Sequence, residues 1–139
     1  MMQTERFTLE NDIRVFCITA ESFPDGIMDA FHKVHSLVPT SNKRRNFGIS
    51  RADKNGNIIY KAALEEISRD ETEIAGCETF IIKSGEYESV LIKDFMKDIK
   101  SIGDTFRKLI TLPEIDPNGY CLEIYLNESD VRCMVPIKK

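Results

Sequence analysis

Glu123 and Tyr125 stand two residues apart in the run Gly119-Tyr120-Cys121-Leu122-Glu123-Ile124-Tyr125-Leu126, an acid and a phenol in an otherwise largely apolar segment. Side chains alternate across a strand, so these two share one face while Leu122, Ile124 and Leu126 share the other. A carboxylate in that position is solvated, is paired with a basic side chain, or is built to meet an incoming group. In the last case, partial desolvation strengthens its pull on a cation, because Coulomb energy grows as the local dielectric falls. Tyr125 would stack on the same ligand or donate a hydrogen bond to the carboxylate. Phe47 and Tyr60 are further aromatic candidates for lining such a site, although half-buried aromatics in hairpins ordinarily serve packing.

Other residue types that do chemistry point nowhere specific. His32 and His35 are spaced i, i+3, which suits one metal ion, but nothing nearby supplies a third ligand. There is no Gly-rich phosphate loop, nucleophile elbow or zinc-hydrolase pattern, and neither metal nor cofactor is expected. The four cysteines, Cys17, Cys77, Cys121 and Cys133, form no C-x-x-C pair and read as small reduced hydrophobes. A net charge of −4 argues against direct nucleic-acid binding. The one basic cluster, Lys43-Arg44-Arg45, reads as a solvated loop run. No apolar run is long enough to cross a bilayer, and the start lacks a basic-then-apolar export pattern, so a cytoplasmic protein without membrane contact is expected.

The elements that would position Glu123 come in two similar halves. Arg6–Glu10 and Ile13–Ile18 flank the turn residues Asn11-Asp12. Asp25 is the expected N-cap of a helix whose apolar stripe is Ile27, Ala30, Phe31, Val34 and Val38, ended by Pro39. Phe47–Ser50 and Ile58–Ala62 follow, around an Asn55-Gly56 turn that signals a hairpin. The second half repeats the order. Thr79–Ile82 and Tyr87–Ile92 surround Ser84-Gly85, and Asp94 is the expected cap of a helix carrying Phe95, Ile99, Ile102, Phe106, Leu109 and Ile110 on one face. Cys121–Leu126 and Val131–Ile137 close the chain. The polar stretch Ser68–Glu73 is the expected linker. The length of 139 residues suits one domain, with a first module over about 1–67 and a second over about 75–139. The expected class is α+β: two pseudo-symmetric βαββ modules, an antiparallel sheet with two helices on one face, and a ligand cleft on the other.

The chain resembles the GyrI-like (gyrase-inhibitor-like) small-molecule-binding domain, also the effector-binding module of AraC- and MerR-type bacterial transcription regulators. The residues that carry the resemblance are Phe47-Gly48-Ile49, the segment Ile82-Lys83-Ser84-Gly85-Glu86-Tyr87, the triplet Glu123-Ile124-Tyr125, and the closing Val135-Pro136-Ile137. The resemblance implies an acidic residue in the penultimate strand, here Glu123, that draws cationic and often aromatic ligands into the cleft. It also implies that Gly48, on the pseudo-equivalent strand, leaves room opposite that carboxylate. Two departures from the family pattern are the lack of any Trp and Lys83-Ser84 in place of Pro-Ala before Gly85.

The function expected from this resemblance is binding of a cationic or amphipathic, apolar or aromatic small molecule by a stand-alone sensor or regulator domain, with any control of transcription passing through a separate regulator protein. Two alternatives stand beside it. One is a hydrolase of reactive small molecules, with Glu123 as general base and Tyr125 assisting. The other is a gyrase-inhibitor-like role in which the acidic surface meets a protein partner. An exposed edge strand also leaves room for a homodimer.

Overall fold

The computed structural model describes residues 3–38, 43–68 and 77–139. The strands are β1 (Glu5–Leu9), β2 (Ile13–Thr19), β3 (Asn46–Ala52), β4 (Ile58–Glu65), β5 (Glu78–Ile82), β6 (Gly85–Ile92), β7 (Cys121–Tyr125) and β8 (Val131–Pro136). Helix α1 (Ile27–Ser36) lies between β2 and β3, and α2 (Lys100–Leu109) between β6 and β7. All eight strands form one antiparallel sheet in the order β1-β6-β8-β7-β3-β4-β2-β5. Exchanging the two βαββ halves reverses that order onto itself, so the pseudo-two-fold runs between β3 and β7. This is the α+β architecture expected of the sequence.

Turn chemistry accounts for β3–β4. Gly56 takes φ +84, and the Asp53 carboxylate accepts hydrogen bonds from the backbone N–H groups of Asn55 and Asn57, at 2.8 and 3.0 Å. The tight turns at Asn11-Asp12 and Ser84-Gly85 do not make hairpins. β1 pairs with β6 of the second half, and β2 pairs with β5, so each half lends its first strand to the other. The short connections curl the sheet and bring the two turns together. There the Ser84 N–H donates to Asp12 Oδ1 at 2.7 Å. Lys83 N–H donates to the Tyr120 hydroxyl (3.0 Å), and the Tyr87 hydroxyl donates to the Lys83 carbonyl (2.6 Å), the two phenol oxygens lying 2.6 Å apart.

Alternation along the strands sorts the core into two faces. Inside the curl, Leu9, Ile13, Val15, Cys17, Phe47, Ile49, Ala63, Ile82, Tyr87, Leu122, Ile124 and Met134 fill the space between the sheet's own walls. On the outer face α1 covers Phe16, Tyr60, Ala62 and Leu64, while α2 covers Val131, Cys133 and Val135. Leu109 is completely buried on α2. Leu109→Ala should therefore cost about 2–5 kcal/mol in a denaturant titration.

Neither expected aspartate cap forms. At α1 the N-cap is Gly26, and the preceding turn supplies the partners: Ile27 N–H bonds the Pro24 carbonyl at 3.1 Å. Asp94 adopts φ +54 and its backbone N–H is held by Asp130 Oδ1 at 3.3 Å. The chain then makes a short 3-10 turn at Phe95–Lys97, so α2 starts only at Lys100, leaving Ile99 and Ile110 exposed. The helix end expected at Pro39 and most of the expected linker (69–73) lie outside the described residues. Among the described residues no helix is long and apolar enough to cross a membrane.

Candidate functional site

The centre of the sheet brings the site together. β3 and β7 lie side by side with Gly48 directly opposite Glu123. β4 returns from the hairpin beside β3, which sets Tyr60 opposite Ser50 and on the same face as Gly48. Tyr60 donates its hydroxyl hydrogen to Glu123 Oε1 at 2.8 Å, and Tyr125, two residues along β7, donates to the same oxygen. A side chain at position 48 would occupy this space. A Cβ there would collide with the Tyr60 hydroxyl and Glu123 Oε1, and would lie 2.7 Å from Tyr60 Cζ.

Three phenylalanines complete the surroundings. Phe31 of α1 sets its ring edge-on to both tyrosines, with centroids 6.2 Å from Tyr60 and 5.8 Å from Tyr125. Phe23 lies 6.0 Å from Tyr60, and Phe95 lies 5.5 Å from Tyr125. Glu123 is 6 % exposed beside this group of rings from both halves, while Phe23 remains 47 % exposed. The carboxylate lies on the helix-bearing face, at the seam between the α1 and α2 cores. The cleft expected on the face away from the helices does not form there, because the curl of the sheet fills that face with core side chains.

Of the residues expected at the site, Glu123, Tyr125 and Tyr60 converge. Phe47 does not. It precedes Gly48, and alternation turns it into the inner core, where it is fully buried. His32 and His35 are exposed on α1, and no set of metal-ligating side chains occurs among the described residues. The basic cluster is tied to β4: Arg45 pairs with Glu65 at 2.7 Å, and Arg44 donates to the Glu65 carbonyl at 3.0 Å. Phe23, Phe31 and Phe95 escaped the sequence reading because helical periodicity explains Phe31 and Phe95 as core stripe. Phe23 and Phe95 do share one signal, since each lies just ahead of the helix of its half.

Among the described residues no lysine, arginine or histidine pairs with Glu123. Burial raises its carboxyl above the ordinary value, against the opposing effect of the two phenol hydrogen bonds. Burial, and then the adjacent carboxylate, raise the hydroxyls of Tyr60 and Tyr125. The same causes push the Cys121 thiol up to about 11. Cys133, opposite Glu123 on β8, is raised likewise.

The sign for stability follows. A carboxyl raised in the folded state binds its proton more tightly there than in the unfolded chain. Its contribution is therefore complete below the unfolded value and is lost as pH rises through the folded one. Glu123→Gln should remove that decline. Melting temperatures of the two proteins across pH 4–9 should diverge toward high pH, with the variant the more stable.

Fold and site together define a two-module α+β domain with a buried acidic–aromatic cluster at its pseudo-symmetry axis. No protein-family model matches the chain, and no curated protein does. Several solved structures share the fold. An integron cassette protein of Vibrio cholerae is 11 % identical with a TM-score of 0.71, covering 97 % of this chain and 95 % of its own. SAV2435, solved with tetraphenylphosphonium bound, is 12 % identical with a TM-score of 0.67, covering 99 % and 94 %. A protein of Listeria innocua described as a hydrolase is 11 % identical with a TM-score of 0.65, covering 99 % and 92 %. At these identities the likeness establishes the fold alone.

Proposed function

We propose that the protein binds a small cationic or amphipathic molecule with apolar or aromatic groups, as a GyrI-like sensor or effector-binding domain, with Glu123 as the anionic anchor. The observation that carries this reading is a buried carboxylate with no basic partner among the described residues, hydrogen-bonded by Tyr60 and Tyr125, whose rings pack against Phe23, Phe31 and Phe95. Rings offer a cation their negative faces, and low dielectric strengthens its attraction to the carboxylate. That SAV2435 holds tetraphenylphosphonium on a similar fold supports the same ligand chemistry. A ligand reaching the carboxylate would meet the rings of Phe23, Phe31 and Phe95, which pack against the two tyrosines.

Thermal denaturation with tetraphenylphosphonium tests the reading. A ligand present at 100 times its Kd stabilises the native state by about 2.7 kcal/mol, a rise of several degrees in Tm. The wild type should show that rise and Glu123→Gln should not. A folded wild type with no shift at millimolar cation would sink the proposal.

A hydrolase reading has one point in its favour. A raised carboxyl beside two phenols suits a general base, and the Listeria innocua neighbour is described as a hydrolase. Turnover of an electrophilic cation by the wild type, lost in Glu123→Gln, would select it.

A further inference from the structure

We propose that β5 is a strap: an edge strand that leaves β2 while the rest of the sheet stays folded, held shut at its open end by the side chain of Glu78. β1 and β5 are the edge strands of the sheet and hold equivalent places in the two halves. Burial does not separate them. Each is exposed or half-buried along its length and buried only at its last residue, Leu9 or Ile82.

Side-chain ties do separate them. On β1, Arg6 pairs with Glu86 at 3.2 Å and Glu88 at 3.5 Å, and Glu5 pairs with Arg132 at 2.6 Å. The Ser89 hydroxyl donates to the Glu5 carbonyl at 3.1 Å, and the Arg132 guanidinium lies 5.0 Å from the centre of the Phe7 ring. On β5, every polar side-chain tie among the described residues runs through Glu78. Its carboxylate accepts from the Thr19 hydroxyl at 2.8 Å and pairs with Lys61, and its carbonyl accepts from the Cys17 thiol at 3.8 Å. Ile81 is 40 % exposed, and the ring of Phe80 against Tyr120 fixes only the turn end. A strand with so few buried side chains opens at less than the cost of global unfolding. Its departure breaks one ladder, that with β2. β2 stays paired with β4, and β4 with β3, so the contact of Tyr60 with Glu123 survives the opening.

Two fully buried thiols report the motion. Cys17 on β2 lies opposite Glu78, against the strap, while Cys133 on β8 lies in the other half under α2. The test is alkylation by N-ethylmaleimide, mapped by peptide mass spectrometry, in the wild type, Glu78→Gln and Glu5→Gln, each checked for folding by circular dichroism. In the wild type Cys17 should react at least about tenfold faster than Cys133, because local opening is more populated than global unfolding. Glu78→Gln leaves Lys61, a mostly buried side chain, without its charge partner. Cys17 should then react about three- to tenfold faster, with Cys133 unchanged. Glu5→Gln keeps the other ties of β1 and should leave Cys17 at its wild-type rate. Equal rates at Cys17 and Cys133 in the wild type would overturn the strap, since only global unfolding would then expose either thiol. Equal acceleration of both thiols in Glu78→Gln, or none at Cys17, would overturn the role of Glu78.

Discussion

Glu123→Gln leaves a folded protein whose affinity for tetraphenylphosphonium is lower by about 30-fold or more. The amide is nearly isosteric, and its carbonyl oxygen can still accept the hydrogen bonds that Tyr60 and Tyr125 now give to Oε1. The aromatic enclosure is therefore kept and only the charge is removed. Truncating one partner of a buried charge pair costs about 2–5 kcal/mol, from which the loss in affinity follows. Stability should move the other way, because the variant no longer holds an ionisable group whose charged form burial disfavours. Weaker cation binding together with equal or higher Tm near neutral pH is a signature that general damage to the fold would not produce. Titration calorimetry and thermal melts on the same samples supply both halves.

Gly48→Ala should be among the most damaging single-methyl changes in the chain. The added Cβ would meet the Tyr60 hydroxyl, Glu123 Oε1 and Tyr60 Cζ at once, on the two central strands of the sheet. Neither neighbour is a free side-chain end. Tyr60 is packed under α1, and Glu123 is flanked by Cys121 and faces Cys133. Relief requires Tyr60 to leave Oε1 or the strands to separate. Overpacking together with a weakened buried hydrogen bond should cost about 2–5 kcal/mol, read as a lower midpoint in urea. Cation binding should fall as well, because the carboxylate loses the partner that orients it. A Gly48→Ala protein with wild-type stability and affinity would show that the space above Gly48 is not needed for the Tyr60–Glu123 contact.

The convergence of side chains on Glu123 was legible where alternation and pairing govern it. Glu123 and Tyr125 share a face because they are two apart on a strand, and Gly48 faces Glu123 as the pseudo-symmetric reading of the chain implied. Tyr60 joins them because the Asn55-Gly56 hairpin returns β4 beside β3. Phe47 fails by a single residue of register. The helix rings were not legible, because Phe31 satisfies the 3.6 period of a core stripe whether or not it also touches a ligand. Nor do turn residues reveal which strands pair: Asn11-Asp12 and Ser84-Gly85 mark tight turns, yet the strands they join lie apart in the sheet. The expected caps at Asp25 and Asp94 lost to backbone and cross-turn partners that only the folded chain supplies.

The most direct test of the central claim is the structure of the protein crystallised with tetraphenylphosphonium. The cation should lie at the pseudo-symmetry axis with its phosphorus centre nearest Glu123 Oε2. Its rings should rest against Tyr60 and Tyr125, with Phe31 displaced from its present place between them. A cation bound elsewhere, with Phe31 still packed against Tyr60 and Tyr125, would contradict the account and leave the carboxylate a buried structural acid.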